Sequence, residues 1–144
     1  MQAHTYLNFP DGKTEEAFRF YAGAFGSELE MLTRFEDMPM PGFELPAEAA
    51  KRIMHVRLPM GDGAAIMGSD IIEGVNAPVV MGNNFYVSLH PETREEADHV
   101  FAALSEGGDV EMAMADAPWG DYYGSFTDKF GVQWMIDVMG EPTP

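Results

Sequence analysis

Ala3–Gly26, AHTYLNFPDGKTEEAFRFYAGAFG, decides the fold. Ala3–Phe9 is rich in β-branched and aromatic residues and carries no breaker before Pro10-Asp11-Gly12, so it reads as a strand and a turn. Lys13–Phe25 then places Ala17, Phe18, Tyr21, Ala24 and Phe25 on one helical stripe, which Gly26 ends. Within that helix Glu15 and Glu16 read as solvated charges favoured by the N-terminal dipole. The unit is a strand feeding a helix.

The same plan returns eighty positions later. Tyr6-Leu7-Asn8 is echoed by Tyr86-Val87-Ser88, and Glu15-Glu16-Ala17 by Glu95-Glu96-Ala97. Glu30-Met31 is echoed, one position out of step, by Glu111-Met112. Asn84–His90 is the second strand-like run. Thr93-Arg94-Glu95-Glu96 is a capping box, and Ala97, Val100, Phe101 and Leu104 carry the helical spacing as far as Gly107-Gly108.

Working outward, strands are expected at 28–36, at 52–60 and 64–69 around the hairpin turn Gly61-Asp62-Gly63, and at 109–114, 122–128 and 132–138. Residues 37–50, with Pro39, Pro41, Gly42 and Pro46, form a loop. The predicted organisation is one domain over 1–144: module one at 1–70, a linker at 71–83, module two at 84–140. Its class is α+β. Two tandem βαβββ modules form curved mixed sheets around a concave cavity, with the helices outside.

Composition narrows the function from another side. The chain has 144 residues, with 8 Lys and Arg against 24 Asp and Glu, a net charge of −16 that repels nucleic acid and anionic membrane surfaces. An apolar fraction of 46% supports a real core, and the absence of cysteine removes disulfides, zinc–thiolate sites and Cys nucleophiles. No basic region followed by an apolar run opens the chain, and no window approaches the ~20 apolar residues of a membrane span. A cytoplasmic domain is the expectation.

Strand alternation assigns faces. Leu7, Phe9, Phe85, Val87, Leu89, Met54, Val56, Leu58, Trp134 and Ile136 should lie under the helices. His4, Tyr6, Asn8, Ile53, His55, Arg57, Asn84, Tyr86, Ser88, Gln133, Met135 and Asp137 should face the other way. Such a mixture suits a lined cavity, although antiparallel sheets also leave polar faces to water. Arg57 either binds a carboxylate or phosphate or pairs with an acidic side chain. Trp119, in Ala117-Pro118-Trp119-Gly120, is either a lid or a packing anchor. Met38–Phe43 is either a lid or a subunit contact.

Several blocks together resemble the vicinal oxygen chelate superfamily, which holds glyoxalase I, bleomycin-resistance proteins and extradiol dioxygenases, and within it the PhnB-like branch. They are Tyr6-Leu7-Asn8-Phe9, Ala17-Phe18-Arg19-Phe20-Tyr21 with Phe25-Gly26, Ile53-Met54-His55, Met67-Gly68-Ser69-Asp70, Trp119-Gly120 and Asp128–Trp134. The resemblance implies a homodimer, as open sheet edges also suggest. Some relatives are labelled ubiquinone-pathway methyltransferases, but no Gly-rich nucleotide loop stands on a βα unit here.

Metal-dependent members place four ligands on the first and last strands of the modules; by position these become His4, Met67, Asn84 and Met135. Met67 and Met135 each follow a turn glycine by four residues, where metalloenzymes carry a carboxylate. Two soft thioethers and a neutral amide do not suit hard or borderline divalent ions. The expectation is a metal-free, cofactor-free protein binding an unidentified small molecule through His4, Tyr6, Asn8, His55, Arg57, Met67, Asn84, Tyr86, Trp119, Gln133, Met135 and Asp137. The alternative is a metal-dependent lyase, dioxygenase or thiol transferase with a rearranged site around His4, His55 and Asp137.

Overall fold

Strand β1 (Thr5–Phe9) runs parallel to β4 (Ala64–Asp70), which pairs antiparallel with β3 (Ile53–Gly61), and β3 with β2 (Met31–Arg34), giving the order β1-β4-β3-β2. The second sheet repeats the plan: β5 (Val87–Leu89) is parallel to β8 (Gln133–Val138), followed by β7 (Tyr122–Thr127) and β6 (Asp109–Asp116). Helix α1 (Thr14–Phe25) covers β3 and β4; α2 (Arg94–Ser105) covers β6, β7 and β8. This α+β arrangement of two βαβββ units comes from a computed structural model that describes residues 1–42 and 44–140. The two compact units are residues 1–80 and 81–144.

In the first unit Leu7 and Phe9 are buried as alternation requires, and Phe9 meets Phe18 of α1 edge-on at 6.3 Å. Gly68 sits between Leu7 and Val56 in the ladder, and the absence of a side chain there lets Phe18 rest on the sheet. In the second unit the matching ladder position opposite Val87 is Trp134, fully buried. Its indole N–H donates to Asp128 Oδ2 at 2.8 Å, which satisfies the one polar group such a ring brings into a core. Bulk supplied by the helix in one unit is supplied by the strand in the other.

Asp70 joins three elements of the first unit. Its Oδ1 accepts from Thr14 N at 3.0 Å at the start of α1, and its Oδ2 from Ile53 N at 2.7 Å at the start of β3. A carboxylate at a helix N-terminus is also favoured by the dipole. At the other end of α1, Gly26 adopts φ 62°, the left-handed cap.

Several boundaries differ from expectation. The second strand is Met31–Arg34, shorter than 28–36, because Asp37 Oδ2 accepts from Arg34 N at 2.9 Å and folds 35–37 into a tight helical turn. The second unit's first strand begins at Val87, so His90 lies just beyond it and Asn84, Phe85 and Tyr86 just before it. Phe85, expected under the helix, is 54% exposed, and Gln133 Nε2 takes its carbonyl at 2.7 Å in place of a main-chain partner.

A slip of register also corrects strand β3. Thr33 pairs with His55 but Arg34 with Ile53, so Met54 is the extra residue of a bulge. Ile53 is therefore 1% exposed in the core, and Met54 leaves the helix side.

Candidate functional site

On the first unit's open face, Tyr6 of β1 reaches across β4 to His55 of β3. Its hydroxyl lies 3.2 Å from Nδ1, and the two rings stack at 5.7 Å. Beside them Asn8 is level with Ser69, whose hydroxyl donates to Asn8 Oδ1 at 3.4 Å, and Tyr6 is level with Met67. Arg57 is engaged by Glu30, which lies just ahead of the outer strand β2. Of the two roles open to Arg57, pairing with an acidic side chain is the one observed. His4 is exposed, just ahead of β1.

Loops cover part of this face. A cleft of about 310 Å³ is lined by Asn8, Met54 and Ser69 from the sheet, by Phe35 from the tight turn after β2, and by Met40, Leu45 and Val75 from the loops. Met40 and Leu45 come from the Pro-rich 37–50 segment, so that segment helps to line the cleft; Phe43 lies outside the described residues. Asn8 is the one sequence-predicted site residue that lines the cleft. Strand alternation puts Met54 on the helix side, and the bulge brings it to the cleft instead. The other lining residues were not foreseen, because alternation describes strands and not the return path of loops.

The open face of the second unit has different chemistry. Tyr86 donates to both oxygens of Glu111, at 2.8 and 3.1 Å, and Ser125 donates to Glu111 Oε1 at 3.2 Å. The carboxylate holds the Tyr86 phenol in its protonated form, raising its pKa. Glu111 was not among the predicted site residues, yet its signal was present. It is the echo of Glu30, and in each unit this glutamate, just ahead of β2 in one and within β6 in the other, takes a donor from the same open face.

His90 is the second omission. Ser88 Oγ and His90 Nε2 are 3.0 Å apart, and His90 Nδ1 lies 3.7 Å from Asp137 Oδ2. Burial and the neighbouring Asp121 carboxyl push the Asp137 pKa up, and His90 opposes them. One more step of the alternation Asn84, Tyr86, Ser88 reaches His90. Trp119, 63% exposed, meets Tyr123 edge-on at 5.8 Å. Gln133 is spent on Phe85, while Asn84 is exposed ahead of β5.

The positions carried over for metal ligands are not equivalent in the two sheets. Met67 stands level with Tyr6, whereas Met135 stands level with Ser88, the echo of Asn8. The glycine-to-methionine spacing hid this two-residue offset. His4, Met67, Asn84 and Met135 offer one imidazole, two thioethers and one amide, a set that does not fit a hard or borderline divalent ion. Among the described residues, no three His, Asp or Glu side chains gather as metal ligands.

Paired βαβββ units with a helix on one face and a polar open face on the other define a known class of protein. The sequence profile of the Glyoxalase/Bleomycin resistance protein/Dioxygenase superfamily matches residues 3–136, and the chain belongs to that superfamily, in its PhnB-like branch. It is 31% identical over 149 aligned residues to Protein YjdN of Escherichia coli (strain K12), covering 96% of each chain. Protein PA1353 of Pseudomonas aeruginosa superposes with a TM-score of 0.83 at 36% identity, over 96% of this chain and 97% of that one. A PhnB protein from Bacillus cereus gives 0.73 at 29%, over 96% and 100%.

Proposed function

We propose that this chain binds a small molecule on the open face of its sheets and does so without the divalent ion used by metal-dependent members of the superfamily. The observation that carries this reading is the first unit's cleft of about 310 Å³, lined in part by loop side chains. That volume stands at the lower end of the roughly 300–1,000 Å³ usual for ligand pockets. The donor set at the carried-over ligand positions supports the metal-free part, since soft and neutral groups replace carboxylates. A homodimer, which the superfamily resemblance implies and open sheet edges favour, completes the proposal.

A thermal-shift screen of small neutral and charged compounds on chelator-treated protein tests the reading. At least one compound should raise the melting temperature without added metal. A protein that responds to no compound until a divalent ion is restored would overturn it. Light scattering should give the mass of two chains.

A further inference from the structure

Resting on the reading of the cleft as the binding site, we infer that its ligand is an uncharged, largely apolar ring carrying a carbonyl or hydroxyl at one edge. Most of the polar side chains that line the cleft are already committed. Both oxygens of Asp70 accept backbone N–H groups, from Thr14 and from Ile53. Asn76 Oδ1 accepts from Ile72 N at 3.0 Å. What remains is the amide N–H groups of Asn76, which donate only, and the Asn8–Ser69 pair, in which Ser69 donates to Asn8 Oδ1. That bond leaves the Asn8 amide N–H groups to donate and the Ser69 oxygen to accept. A hydroxyl edge satisfies both, and a carbonyl edge satisfies the amide.

Among the described residues lining the cleft there is no Lys, Arg or His. An anionic ligand would leave water with no counter-charge, in a chain whose own net charge is −16. A cationic ligand would meet, among the described lining residues, only the Asp70 carboxylate, which is 2% exposed and already held by two backbone N–H groups. The rest of the lining, including Phe35, Met40, Leu45 and Met54, is apolar. Two thioethers beside a phenyl ring favour contact with an aromatic or conjugated plane.

Fluorescence titration of the full, chelator-treated chain with naphthol, naphthalene, naphthoate and naphthylmethylammonium tests this. Naphthol should bind most tightly, naphthalene ~5-fold more weakly for want of one hydrogen bond, and both ions at least ~10-fold more weakly than naphthol. Asn8→Leu, at an exposed position, should bind naphthol and naphthalene alike; Ser69→Ala should narrow the same gap and serves if Asn8→Leu does not fold. Tighter binding of either ion, or a naphthol preference that survives both substitutions, would overturn the ligand class while leaving the cleft as a site. Failure of all four probes to bind would overturn the cleft itself.

Discussion

Asp70 ends a strand, caps a helix and starts another strand, and at 2% exposure it has no water to fall back on. Asp70→Ala should strand two buried N–H groups and cost about 3 kcal/mol, read by urea unfolding. Glu15 is the opposite case, a surface carboxylate made important by distant partners. Arg34, from β2, forks onto both its oxygens at 2.9 and 3.0 Å, and Arg19 adds 2.9 Å. Together they lower the Glu15 pKa to about 2. Because the folded-state pKa lies below the unfolded one, the stabilisation is present above about pH 5 and drains away as pH falls toward 2. With part of the trio in water, it should amount to about 1 kcal/mol. Glu15→Gln should therefore lower stability at pH 7 and match the parent near pH 2, as measured by denaturant midpoints across pH. The sequence showed Glu15 as a solvated helix charge, and nothing local to it announced Arg34. His90 was legible by one further step of alternation, and Glu111 through its echo of Glu30.

At the scale of elements, alternation carried most of the architecture. It placed Leu7, Phe9, Val56, Leu58, Trp134 and Ile136 in the cores, where they are found. It failed at Ile53 and Met54, because a bulge adds one residue to β3 and the period of two is lost ahead of His55. It failed again at Phe85, where a glutamine side chain replaces a main-chain partner and the strand starts late. Gly68 shows how closely α1 sits on its sheet. A Cβ there would lie 2.7 Å from the Leu7 carbonyl oxygen and 2.7 Å from the Phe18 ring. The carbonyl belongs to a paired strand and cannot withdraw. Gly68→Ala should thus cost about 2–3 kcal/mol, visible as a lowered urea midpoint with little change in slope.

For the whole molecule, the repeated strand–helix plan was enough to read two units and a superfamily, because repetition and hydrophobic period are properties of sequence. The binding cleft was not legible in the same way. Its walls come from a bulged methionine and from loops whose path is set by tertiary contacts, so Asn8 alone was foreseen among its lining residues. The most direct test of the central claim is a naphthol titration of the chelator-treated chain, repeated with an equivalent of manganese, nickel or zinc. A metal-independent pocket predicts the same dissociation constant in every titration and no stoichiometric ion by elemental analysis. Binding that appears only with one equivalent of metal, and is lost with His4→Ala, would contradict it.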